Sequence, residues 1–77
     1  MRYIELQINF AKDVRTYQLE YTVSNEEFAR EYGCEVSHVV NLRKGATDIS
    51  IKDMAKLRVL YAKRIAEERA RLKVAGE

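Results

Sequence analysis

Few side chains in this 77-residue chain are equipped for covalent chemistry. His38 is its single imidazole and Cys34 its single thiol. Ser37 stands beside His38, but adjacent side chains on a helix diverge by about 100°, so the two cannot form a nucleophile–base pair. One cysteine excludes an internal disulfide, and a single histidine leaves no metal cluster. Cys34 reads as a small buried apolar side chain rather than a redox group. Glu26, Glu27, Glu31 and Glu35 read as a solvated helix face rather than a metal site. There is no Gly-rich phosphate loop. No enzyme, metal or cofactor is expected.

The informative stretch is SNEEFAREYGCEVSHVVNLRKG, from Ser24 to Gly45. Its spacing is that of two short helices joined by a tight turn. Ala29 is small where a second helix must cross closely. Gly33, four residues later, can take the positive φ that a turn requires. Phe28 and Tyr32 are four apart on one helix face, and Val39 and Leu42 are three apart on the next. With Cys34 they form the wedge between the helices. The helices are expected over about Asn25–Tyr32 and Val36–Lys44. Ser24 with Glu27 makes a capping box, and Val23 with Phe28 a hydrophobic staple. Ser50 with Asp53, and Ile49 with Met54, repeat the arrangement. They start a last helix near Ile51 that can run to about Val74. Met54, Leu57, Leu60, Tyr61 and Ile65 form its apolar stripe. Beyond Ala66 it is expected to project from the core.

This arrangement resembles the helix-turn-helix of the lambda repressor and Cro family of phage and bacterial regulators. The resemblance covers Ser24 to about Leu60. Ser24, Ala29, Gly33, Val39, Leu42 and Gly45 occupy the family's places for the cap, the small residue, the turn glycine, the two buried apolars and the closing glycine. The resemblance implies a sequence-specific DNA-binding regulator with its recognition helix, Val36–Lys44, in the major groove. The positions that would meet DNA are Val36, Ser37, Val40, Asn41 and Lys44, with Asn25 at a phosphate. Asn41 would pair with adenine N6 and N7, and Val40 would touch a thymine methyl. Ser37 would reach phosphate or base. Arg43 and Lys44 would hold the backbone, with Lys44 able to reach a base. The sequence departs from the family at Val36, where a long polar base-reader is common, and at Glu35, where a small cap is common. A carboxylate suits a helix N-terminus but repels phosphate.

Residues 3–10, YIELQINF, and 16–23, TYQLEYTV, alternate apolar and polar side chains. They predict two antiparallel strands burying Ile4, Leu6, Ile8, Leu19 and Tyr21. A competing pattern runs through the same segment. Phe10, Val14, Tyr17 and Tyr21 are spaced four, three and four, as on a helix face, and the repressor family carries a helix there. Propensity favours the strands, because Val14, Thr16, Tyr17, Tyr21, Thr22 and Val23 are poor helix formers. The expected fold is therefore mainly α with a small β part: a β-hairpin over 1–23, the helix-turn-helix over 24–45 and a long helix over 50–74.

Seventy-seven residues allow one domain with a marginal core. Net charge is +2, unevenly spread. Residues 1–35 carry four basic against seven acidic side chains, and residues 36–77 ten against five. A positive half beginning at the recognition helix suits a nucleic-acid binder, though solvated helices share the feature. No apolar run approaches the about 20 residues that span a bilayer. No leader pattern is read at the N-terminus. The expectation is a cytoplasmic homodimer on double-stranded DNA. The alternative is a small interaction module (an adapter, antitoxin or inhibitor) binding a protein through the hairpin edge or the C-terminal helix.

Overall fold

The computed structural model describes residues 3–75, and side chains for residues 5–72. The described residues form four helices: α1 (Tyr3–Tyr21), α2 (Asn25–Tyr32), α3 (Val36–Lys44) and α4 (Ile51–Ala75). The expected N-terminal β-hairpin is not there. One 19-residue helix replaces both strands, and the described residues contain no strand. The four-three-four pattern prevails over the alternation. Phe10, Val14 and Tyr17 are buried, and Leu6 and Tyr21 pack against the core beside them. Of the residues expected inside the hairpin, Ile8 is 54% exposed and Leu19 84%. The side chain of Ile4 lies outside the described residues. Magnitudes explain the outcome. Poor helix propensity costs some tenths of a kcal/mol per residue, whereas burying one large apolar side chain is worth about 1.5–3 kcal/mol. A helix collects Phe10, Val14 and Tyr17 on one face. A hairpin would place Val14 in its loop and leave a two-stranded sheet to support itself. Thr16 fits the helix by donating its hydroxyl to the Lys12 carbonyl at 2.8 Å.

The first three helices end alike. Val23 N–H donates to Gln18 O at 2.8 Å, Cys34 N–H to Ala29 O at 2.9 Å and Ala46 N–H to Asn41 O at 3.1 Å. Each bond spans a residue in the left-handed region, the Schellman ending. Gly33 (φ 85°) and Gly45 (φ 73°) adopt that conformation freely. Thr22 adopts it at φ 54°, where a β-branched side chain is strained.

Helix starts use the two capping boxes in complementary halves. At α2, Ser24 Oγ accepts from Glu27 N–H at 3.1 Å, while the Glu27 carboxylate turns to Arg64. At α4, the Asp53 carboxylate accepts from Ser50 N–H at 3.0 Å and from Ser50 Oγ at 3.1 Å. The residues before both caps, Val23 and Ile49, are buried in the core.

Helix α1 packs on α3 and α4, and α2 on the same pair. Between them lie Val23, Phe28, Ala29, Tyr32, Val39, Leu42, Leu57 and Leu60. Ile65, expected in the stripe of α4, is 41% exposed, so the helix leaves the core one turn earlier than its apolar pattern suggests. The departure is marked by Arg64. Its Nε donates to Tyr17 Oη at 3.0 Å, and its Nη2 meets Glu31 at 2.5 Å and Glu27 at 3.4 Å. Tyr17 Oη in turn donates to Glu31 at 3.1 Å. One guanidinium thus ties α4 to α1 and α2.

Candidate nucleic-acid interface

The turn glycine and the two buried valine and leucine positions of α3 set the orientation of its other side. Val39 and Leu42 face the core, so Val36, Ser37, Asn41 and Lys44 point outward and are exposed. Val40 and Arg43 are half-buried at the margin of that face. At the start of α3, Glu35 has extended geometry but makes no side-chain capping bond. Its carboxylate is exposed, and the first amides of α3 have no side-chain acceptor from it.

The expected residues fall into two groups. Asn25, Val40, Arg43 and Lys44 line one shallow depression of about 300 Å³ together with Arg15. Val36, Ser37 and Asn41 are not part of it and stand on the adjoining outer face of α3. Among its lining residues, Asn25 is the first residue of α2. Its Oδ1 accepts from Gln18 Nε2 at 2.9 Å and from Arg43 Nη1 at 2.9 Å. With the oxygen occupied, the amide nitrogen is the polar group Asn25 can offer outward. Arg15, from α1, also lines the depression and donates to the Arg43 carbonyl. Arg43 is therefore partly anchored to the protein and is not the free surface cation the spacing suggests. Among the described residues no carboxylate lines the depression. Its polar side chains are two guanidiniums, an ammonium and an amide donor at a helix N-terminus, a set suited to phosphate oxygens.

Arg15 and Gln18 do not stand out in the sequence. Read as strand and hairpin loop, they have no fixed relation to α3. The spacing of Phe10, Val14, Tyr17 and Tyr21 is the signal that places them, since it puts Gln18 one turn beyond Val14 on the flank of the buried stripe. Gln18 is itself buried, 7% exposed. Its Nε2 also donates to Val23 O at 3.2 Å, and its Oε1 has no protein partner. A buried amide that orders the α1–α2 corner and holds Asn25 accounts for a polar residue at such a position.

The other reactive groups are not gathered here. Burial pushes the Cys34 thiol above its usual range, against the pull of Lys56 and with a push from Glu35, so it stays protonated at neutral pH. Among the described residues no group of three or more His, Cys, Asp or Glu side chains could hold a metal ion. No described helix is long and apolar enough to cross a membrane. No family model, curated protein or solved structure matches the chain.

Proposed function

We propose that this chain is a sequence-specific DNA-binding transcriptional regulator of the lambda repressor and Cro-like type, of the kind phages and mobile elements carry. The observation that supports it is the donor-lined depression at the N-terminus of α2, beside the outer face of α3. In this reading a phosphate sits against Asn25, Arg15 and Lys44, and this contact sets the register of α3 in the major groove. Asn41 then reads adenine and Val40 a thymine methyl, with Ser37 and Val36 nearer the helix start. Arg43 acts mainly by fixing Asn25. A nine-residue helix contacts too few base pairs for operator-level specificity, so the regulator works as a cytoplasmic homodimer on two half-sites.

Competition titrations on specific and random duplexes test this. Asn41→Ala should cost about 1–3 kcal/mol on the specific site and little on random DNA. Arg15→Ala and Lys44→Ala should weaken both and flatten the salt dependence, because fewer counterions are released. An unchanged salt slope for both variants would refute the docking. A second reading, a protein-interaction module on the same scaffold, is favoured by the exposed Glu35 and Val36 at the start of α3. It predicts weak DNA binding that none of these substitutions changes. Its hairpin-edge version falls with the hairpin, which leaves the helical faces.

A further inference from the structure

The side of α4 that flanks α2 carries a groove of about 410 Å³. Ala55, Val59 and Leu60 line its floor, and Lys52, Lys56 and Lys63 its rim. The spacing 52, 56, 59, 63 is a single helical face three turns long. Val59 is 54% exposed although it lies in a concavity. Among the described residues the one carboxylate lining the groove, Glu31, is bonded to Arg64 and Tyr17. Asp53, one position from Lys52, is bonded to Tyr32 and Ser50. None of the three lysines has a carboxylate within ion-pair distance among the described residues, where Arg64 pairs with Glu27 and Glu31. Lys56 is held at the rim by the Tyr32 ring, its Nζ 4.7 Å from the centroid.

We infer that this groove docks an acidic amphipathic helix of a partner protein. The occupant must bring apolar anchors for the floor at helical spacing and carboxylates for three lysines spread along the rim. One helix with an apolar stripe bordered by Glu or Asp supplies both. A phosphate backbone would satisfy the lysines but leave Val59 and Ala55 unused. The inference does not depend on α3 reading DNA.

The test uses the full chain, nitrogen-15 labelled. The probes are three synthetic helical peptides of about five turns, with a Leu, Ile or Phe stripe bordered by Glu. Each has a scrambled control of the same composition. At least one probe should shift resonances of Glu31 and residues 52–63, and bind about tenfold or more tighter than its scramble. Val59→Asp should weaken that binding by about tenfold. Joint replacement of Lys52, Lys56 and Lys63 by Gln should weaken it and flatten its salt dependence. All four side chains are exposed, and a cooperative thermal melt with an intact amide spectrum would show each variant folded even where loss of the Lys56–Tyr32 contact lowers its midpoint. Equal binding of probe and scramble, or shifts confined to other surfaces, would overturn the proposal. Groove shifts caused instead by duplex DNA, or by raising the protein concentration alone, would overturn it in favour of nucleic acid or a second copy.

Discussion

Thr22→Gly should make this protein more stable. Thr22 sits at φ 54° in the Schellman ending of α1, exposed, and its side chain makes no hydrogen bond among the described residues. A residue with a Cβ in the left-handed region costs about 1–2 kcal/mol, and β-branching raises that strain. Glycine removes it. Against this, glycine adds unfolded-chain entropy, worth about 0.5–1 kcal/mol. Nothing else is lost, since the Val23 N–H to Gln18 O bond is made by backbone atoms on either side. The net gain is about 0.5–1 kcal/mol, which for a chain of this size raises Tm by about 2–8 °C. Thr22→Ala keeps the Cβ and should gain less. Differential scanning calorimetry of the two variants and the parent measures the effect. The sign is decisive. Were residues 16–23 a strand, glycine would replace a good β-former and lower stability by about 1 kcal/mol. A Tm for Thr22→Gly below the parent would refute the helical ending and the account of α1 built on it.

Tyr17→Phe deletes the hydroxyl that links Arg64 to Glu31 and should cost about 1.5–3 kcal/mol in urea unfolding, the range for hydrogen bonds to charged groups; a loss under about 0.5 kcal/mol would mean the network is decorative. Asp53 bears on acid stability. Burial pushes its carboxyl up, but bonds from Tyr32 and Ser50, with Lys56 nearby, outweigh that and leave the pKa below its usual value. A lowered carboxylate pKa stabilises the fold above the unfolded value of about 3.9, and the contribution is lost as pH falls through the folded value. Asp53→Asn should therefore be less stable than the parent at neutral pH and converge on it in acid; parallel stability curves from about pH 2 to 6 would contradict this.

Much of the central architecture was legible because it depends on local chemistry. The cap at Ser24, the positive φ at Gly33, the helix-closing glycine at Gly45, and the inward pairs Phe28–Tyr32 and Val39–Leu42 need neighbours within about one helical turn. Such short-range rules placed α2 and α3 at the bounds they occupy. The outward face of α3 follows from the same periodicity: of the five positions read onto it, Val36, Ser37, Asn41 and Lys44 are exposed, while Val40 is half-buried at its margin.

Residues 3–23 were decided elsewhere. That segment carries two hydrophobic periods at once, one matching a strand and one a helix, and local propensity pointed to the strand. Burial chose the helix, because a surface made jointly by α3 and α4 accepts Phe10, Val14 and Tyr17 as a single stripe. The same choice created the Gln18–Asn25–Arg43 contacts, which join residues 7 and 18 positions apart. It also created the Arg64 network, which spans 47 positions to Tyr17. The Arg43 and Arg64 bonds reach well beyond any one helix, to partners 18 and 47 positions away. A hydrogen bond between distant residues is set by the packing of whole helices, and that packing is fixed by the total apolar area buried rather than by the preference of any one segment.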